Sequence, residues 1–229
     1  MTKKTQSKLI LATNSIGNDT DVPQRSLEAL RNSDILIFEE DRPARRALKL
    51  AGVHRDYVKL NEHSHDLALE DARTAFQKGK VVCYMSDQGC PTVADPGRQL
   101  AELAFSYNVS VEVIPGPSSV TAALSCCPFL RGPFLFHGFL PRKPAERFSQ
   151  LKLFEKSQVP IVLLDAPYRL QALLEDCHKA LPKHKATLSV DITGENEQHF
   201  YGGFTQLIKS AIQLPKKLNF VLIIGTLNS

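Results

Sequence analysis

The sequence predicts an α/β protein made of two α/β domains, the first on a mostly parallel sheet and the second on a mixed sheet, with a cleft between them. Three observations carry this. Short apolar runs rich in β-formers alternate with single helical patterns as far as about residue 125. The stretch CCPFLRGP at 126–133 then breaks the alternation with two prolines and a glycine. Beyond it, several strands follow one another across short turns. Strands separated by single helices need right-handed crossovers and pair in parallel, whereas strands joined by tight turns pair antiparallel. The expected domains are 1–130 and 131–229.

In the first half KLILAT (8–13), DILIFEE (34–40), YVKL (57–60), VVCYMS (81–86) and SVEVI (110–114) read as strands. Helices are expected at Val22–Asn32, Pro43–Ala51, His65–Lys78, Arg98–Tyr107 and Ser118–Ser125. Pro23 suits a first helical turn and Gly79 a helix stop. In the second half FLFHGF (134–139), PIVLLDA (160–166), ATLSVDI (186–192), HFYGG (199–203) and NFVLIIGT (219–226) read as strands. Helices are expected at Ala145–Lys156, Tyr168–Leu181 and from about Thr205.

With 229 residues, 43% of them apolar, the chain can bury a sizeable core. Its apolar runs are strand-length and interrupted, and the N-terminus has only a short one after Lys8, so neither a membrane span nor a signal peptide is expected. Five cysteines without C-x-x-C spacing, and scattered histidines, suit free thiols in a reducing cytoplasm and no metal site. The net charge of +4 permits an anionic partner, and positive charge gathers at Arg42–Lys49 and Arg142–Arg147.

The stretch most loaded with chemistry is Ser86–Gly97, SDQGCPTVADPG, which follows an apolar strand, together with IPGPSS at 114–119. In open α/β sheets the carboxyl edge of the strands is where ligands bind. Gly89 and Gly97 allow close backbone approach, Pro91 and Pro96 stiffen the loop, and Ser118 and Ser119 stand at a helix start, where a carboxylate or hydroxyls are favoured. Serine-capped tight turns account for the same spacing. The absence of G-x-G and G-x-x-x-x-G-K patterns disfavours dinucleotide and P-loop nucleotide binding.

SDQGCPTVADPG, IPGPSS, FHGFLPRKPAER, DAPYR (165–169) and the EED at 39–41 resemble, in order, the motifs of the tetrapyrrole-methylase superfamily, the class III S-adenosylmethionine-dependent methyltransferases. They look most like the branch that 2′-O-methylates a cytidine ribose of small-subunit ribosomal RNA. The resemblance implies S-adenosylmethionine as cofactor, held between two domains, a homodimer, and RNA or the small ribosomal subunit as partner. Ser86, Asp87, Gly89, Cys90 and Val93 would line the donor, Ser118 and Ser119 would contact its methionine or ribose part, and Leu164 and Ile192 would approach the adenine. Glu40 and Asp41 match an E-D pair and are the candidate proton acceptors, although Asp41 also fits as a helix N-cap; Asn61–Glu62–His63 is another strand-end candidate. Arg42, Arg45 and Arg46, with Arg142, Lys143 and Arg147, would form two basic rims for a phosphate backbone.

There are departures. Gln88 replaces a small residue, the first loop TNSIGN (13–18) is spaced differently by one residue, and VDITG (190–194) lacks a basic residue at each end. The sequence also stops where the ribosomal-RNA enzymes commonly continue into a small helical segment, so a short form is expected. A tetrapyrrole or other small-molecule acceptor, and a non-catalytic donor- or RNA-binding relative, are the competing readings.

Overall fold

The computed structural model describes residues 7–61, 65–215 and 217–227. The chain divides into two compact units, Met1–Ser118 and Ser119–Ser229.

The first unit carries a five-stranded sheet in the order β3-β2-β4-β1-β5, formed by Lys8–Ala12 (β1), Ile35–Phe38 (β2), Val58–Lys59 (β3), Val81–Met85 (β4) and Ser110–Ile114 (β5). Every pair in it is parallel. Its strands read as nearly continuous apolar runs because both faces are covered. Leu9, Leu11, Ile37, Val82 and Tyr84 pack with α3 (His65–Gln77) and α4 (Arg98–Ser106). The alternate residues Ala12, Leu36, Phe38, Cys83 and Met85 pack with α1 (Gln24–Asn32) and α2 (Asp41–Ala51). The neighbours β1 and β4 therefore lead into helices on opposite faces, the α1 and α4 faces respectively. That divergence leaves a crevice at their carboxyl ends.

The second unit has a mixed sheet, β6-β7-β10-β8-β9, formed by Leu135–Phe139 (β6), Ile161–Leu164 (β7), Lys185–Val190 (β8), Gln198–Gly203 (β9) and Phe220–Ile224 (β10). Only β6 and β7 pair in parallel; the other pairs are antiparallel. One face is closed by α6 (Pro144–Leu153), α7 (Leu170–Ala180) and α8 (Phe204–Ile212). Helix α5 (Ser119–Ser125) lies against β10, whose Val221 and Ile223 are buried on the opposite face. This packing sets the division at Ser118/Ser119 and leaves CCPFLRGP inside the second unit, whereas composition alone pointed to residue 130. Because β6, β7 and β8 all run antiparallel to β10 or parallel to each other, their carboxyl ends share one sheet edge. Among the described residues no helix is long and apolar enough to cross a membrane.

Candidate functional site

At the carboxyl edge of the first sheet, the loops after β1, β4 and β5 are laced together by buried polar groups. The Asn14 amide donates to the carbonyls of Ser86 and Asp87, both at 3.1 Å, while its oxygen accepts from Ser15 N at 2.8 Å. The backbones also exchange bonds, Asn14 N to Gly89 O at 3.0 Å and Gly89 N to Ser15 O at 3.2 Å. On the other side the Thr13 hydroxyl donates to Ile114 O at 2.6 Å, and Cys90 Sγ lies 3.4 Å from Pro117 O. Gly89 has φ +67°, and a Cβ there would stand 3.2 Å from Ile16 Cγ2 and 3.4 Å from Pro117 O. Only glycine meets both demands without strain. Ser86, its hydroxyl donating to Gln88 O at 2.8 Å, begins the turn; Gln88 is exposed.

The tip of the same loop is unusual. Thr92 and Ala94 adopt φ of +71° and +57°, a region that a β-branched residue enters only when its surroundings force it. Asp95 supplies the force by accepting from Thr92 N at 3.1 Å and Gly97 N at 2.7 Å. Val93 is thereby left half-exposed. The N–H groups of Val93 and Ala94 make no hydrogen bond among the described residues and are free to meet a ligand.

Beneath the loop lies a cluster of acids. The Tyr84 phenol stands 2.8 Å from Asp95 Oδ1 and 3.1 Å from Glu39 Oε1. Glu39 Oε1 accepts from Asp87 N at 3.1 Å, and Asp87 Oδ1 accepts from Glu40 N at 3.3 Å. Burial, and then a hydrogen bond and like charge from Asp95, push Glu39 from 4.5 up to about 8. Burial raises Asp87 to about 6, with the charges of Glu40 and Asp95 adding to it. Burial, and then the charges of Asp95 and Glu39, raise the Tyr84 phenol, so it stays a donor.

The sign of the pH dependence follows. An unfolded chain releases the Glu39 proton above its ordinary 4.5, while the folded chain keeps it to about 8. Stability contributed by this proton is present at low pH and is lost as pH rises across that window. Asp87 acts the same way between 3.8 and about 6. Glu39→Gln keeps an acceptor for Tyr84 and Asp87 N but removes the titration. Thermal melts of this variant should lose the decline seen in the wild type between about pH 6 and 8. A decline as steep as that of the wild type would assign the titration to another group.

Of the two acids named from sequence, Asp41 is engaged elsewhere. It accepts from Tyr57 OH at 2.9 Å and from Lys59 Nζ at 3.1 Å, which together hold its pKa below the usual value. A carboxylate so held is a poor base. Nor is Asp41 the cap of α2: the N-cap position falls on Glu40, which is exposed and makes no side-chain cap bond. Glu62 and His63 lie outside the described residues.

The basic residues separate into two kinds. Arg42, Arg45, Arg142 and Lys143 are exposed, with Lys143 3.0 Å from Glu146. Arg46 is exposed too, but it is drawn onto the first loop, 2.5 Å from Asp19 and 3.4 Å from Gly17 O. Arg147 departs from the expected rim. It is buried, with its guanidinium 2.6 Å from Asp176, because α6 places it on the apolar stripe with Leu151.

In the second unit Leu164 ends β7 and Ile192, buried, follows β8 at the same sheet edge. The turn after Val190 is also strained, with Asp191 at φ +48° and Thr193 at +65°. A Cβ at Gly194 would lie 2.4 Å from the Asp191 carboxyl, which fixes glycine there and accounts for the missing side chain. Ser118 closes the first unit and Ser119 opens α5 in the second.

The profile of the Tetrapyrrole (Corrin/Porphyrin) Methylases matches residues 8–207. The chain belongs to this family. As a tetrapyrrole methylase it is a methyltransferase that uses S-adenosylmethionine. Curated relatives include "Ribosomal RNA small subunit methyltransferase I" of Thermotoga maritima, 29% identical over 217 residues, 95% of this chain and 97% of that one. The protein of that name in Leptospira borgpetersenii is 32% identical over 220 residues, 94% and 87% of the two chains. Among solved structures, uroporphyrin-III-C-methyltransferase from Thermus thermophilus superposes with TM-score 0.67 at 20% identity, over 96% of this chain and 94% of that one. A form complexed with S-adenosyl homocysteine gives 0.63 at 16%, over 97% and 98%.

The first-unit loops of this tetrapyrrole methylase fit such a cofactor chemically. Glu40, Asp87 and Asp95 stand at or beside the Ser86–Gly97 loop and suit a sulfonium or ammonium cation, while Glu39, raised to about 8, stays protonated at neutral pH beside Tyr84 and Asp87 N. The unbonded Val93 and Ala94 amides suit a carboxylate or hydroxyls. The structure joins Ser86, Asp87, Gly89 and Cys90 in one hydrogen-bonded set and adds Thr13, Asn14, Glu39, Tyr84 and Asp95, none of which was expected as a site residue although Thr13, Asn14, Glu39 and Asp95 lie within the motif stretches.

Proposed function

We propose that this methyltransferase acts on a ribose 2′-hydroxyl of RNA, with small-subunit ribosomal RNA as the substrate. The observation that carries the proposal is the full-length similarity to relatives named for ribosomal RNA methylation, 95% of this chain against 97% of the Thermotoga maritima protein. The exposed Arg42 and Arg45 after β2 and the exposed Arg142 and Lys143 after β6 support it, because each pair follows the carboxyl end of a strand. Family resemblance further supports a cytoplasmic homodimer.

Bound S-adenosylmethionine supplies a methyl group activated by its positive sulfur. The chain's own part is alignment, exclusion of water, and acceptance of the hydroxyl proton. The laced Asn14, Ser86, Gly89 and Cys90 backbone would hold the donor side, with Ser118, Ser119, Val93, Leu164 and Ile192 as its further contacts. Asp87, raised to about 6 and pressed upward by the Glu40 charge, would take the proton. Glu40 keeps its place as the adjacent acid; Asp41 becomes a structural residue.

The test is transfer of labelled methyl from S-adenosylmethionine to small ribosomal subunits, and to total RNA, from a strain lacking the gene. Label should enter one ribosomal RNA fragment and make the following phosphodiester resistant to alkali. Label confined to small molecules would overturn the proposal. Arg45→Glu and Arg142→Glu should each weaken RNA binding about tenfold at low salt and flatten its salt dependence. Donor affinity, read by calorimetry, should stay unchanged. Full RNA affinity in both variants would remove these residues from the RNA contact.

A further inference from the structure

Two arginines of the second unit grip one surface turn, and nothing in the methyl-transfer chemistry above uses them. Arg169 donates from Nη2 to Pro141 O at 3.1 Å and pairs through Nη1 with Asp165 Oδ1 at 3.2 Å. Arg147 donates from Nη1 to Arg142 O at 3.2 Å and pairs through Nε and Nη2 with Asp176 Oδ2 at 2.7 and 2.6 Å. Consecutive carbonyls of the turn are thus held by guanidinium groups from two different elements. Each guanidinium is backed by its own carboxylate, Asp165 just after β7 and Asp176 in α7. All four groups are largely withdrawn from water, with side-chain exposures of 8% for Arg147, 18% for Asp176, 15% for Arg169 and 2% for Asp165.

Stability alone is a weak reason for this arrangement, because buried ion pairs often contribute no more than an apolar packing of the same volume. What the two forks do provide is a fixed position and orientation for the turn between them. That turn carries Arg142 and Lys143 out to solvent, while Arg147, which helps hold it, is buried and Arg169 is largely withdrawn from water. Fixed backbone matters where side chains must meet a partner of regular spacing, and a phosphate chain is such a partner.

We propose that Arg147 and Arg169 are positioning residues for the acceptor, fixing the Pro141–Lys143 turn so that Arg142 and Lys143 meet the phosphates of the RNA in register. The role rests on the RNA reading above. The DAPYR and PRKPAER motifs then act together, Arg169 of the first and Arg147 of the second holding the turn that carries Arg142 and Lys143.

Arg169→Lys and Arg147→Lys test the proposal without leaving a buried carboxylate bare. Lysine keeps the charge, but as a single point donor it cannot hold both the carboxylate and the carbonyl in the observed geometry. The RNA KM should rise about tenfold with kcat changed less than about twofold. Donor affinity should be unchanged. Tryptic cleavage after Arg142 should speed up although the melting temperature stays within a few degrees. Unchanged KM in both variants, with wild-type turnover on RNA, would overturn the positioning role alone. Parallel losses of melting temperature, donor affinity and kcat would make the arginines structural ion pairs and overturn it as well. A wild-type chain that methylates no RNA would overturn the RNA reading, and this role with it.

Discussion

Gly97→Ala should cost this methyltransferase its donor binding. A Cβ at Gly97 would stand 2.1 Å from Tyr84 Cε1 and 2.8 Å from Asp95 Oδ1. Neither neighbour has room to yield. Tyr84 is fully buried in the middle strand, and its phenol is held between Glu39 and Asp95. Asp95 is in turn fastened to Thr92 N and Gly97 N. The 95–97 turn must therefore shift, and with it the strained Thr92–Ala94 tip that exposes Val93. Overpacking of this kind costs about 3 kcal/mol when rigid neighbours share it, or roughly 6–12 °C in melting temperature for a chain of this size. Donor affinity should fall at least about tenfold by calorimetry. Gly132→Ala is the control, since a Cβ there meets nothing within 4 Å, and it should be neutral in both assays. Wild-type melting and donor affinity in Gly97→Ala would mean that the Tyr84 ring is free to move, and the brace would have to be abandoned.

That brace also marks where sequence reading stops. Strand and helix order was legible because apolar runs, prolines and glycines report local geometry directly: Pro23 and Gly79 both stand at helix ends. The long loop after β4 was legible because SDQGCPTVADPG concentrates residues that punctuate a chain. The choice among Glu39, Glu40 and Asp41 was not, since three adjacent acids have the same chemistry and only the pleat separates them. Ile37 and Tyr84 pack on one face of the sheet, and Glu39, two residues beyond Ile37, continues that face toward Tyr84. A strict count of two from Ile37 would have selected it. Arg147 carried a similar signal, four residues before the buried Leu151 on α6. Its partner Asp176 lies 29 residues away, so no local pattern could report the pair. The division at Ser118/Ser119 depends on α5 lying against β10, a contact between segments about a hundred residues apart in sequence, and composition is blind to that.

Asn14 was passed over for the same reason, and its replacement should be the second severe lesion. Its amide serves two carbonyls on the donor loop and its oxygen serves Ser15 N. Asn14, Ser15 and Ser86 are all buried. Asn14→Ala leaves two carbonyls and one N–H without partners, at about 1–3 kcal/mol for each group that water cannot reach. A total of about 2–4 kcal/mol, or roughly 4–16 °C, is expected after partial relaxation. Donor affinity should drop with it, because Ser86 and Asp87 lose their side-chain tie to the first loop and only the backbone bonds at Gly89 remain. Asn14→Asp separates shape from polarity. It preserves the acceptor for Ser15 N but turns an oxygen toward the Ser86 and Asp87 carbonyls. In the folded state that arrangement disfavours the charged form and raises the new carboxyl above the ordinary Asp value of about 3.9. The folded chain then keeps a proton that the unfolded chain releases, so stability is present at low pH and is lost as pH rises. Asn14→Asp should melt close to the wild type near pH 4 and below Asn14→Ala near pH 8. Wild-type melting of the Asp variant at the higher pH would show that the loop carbonyls do not depend on the amide, and would detach the β1 loop from the donor site.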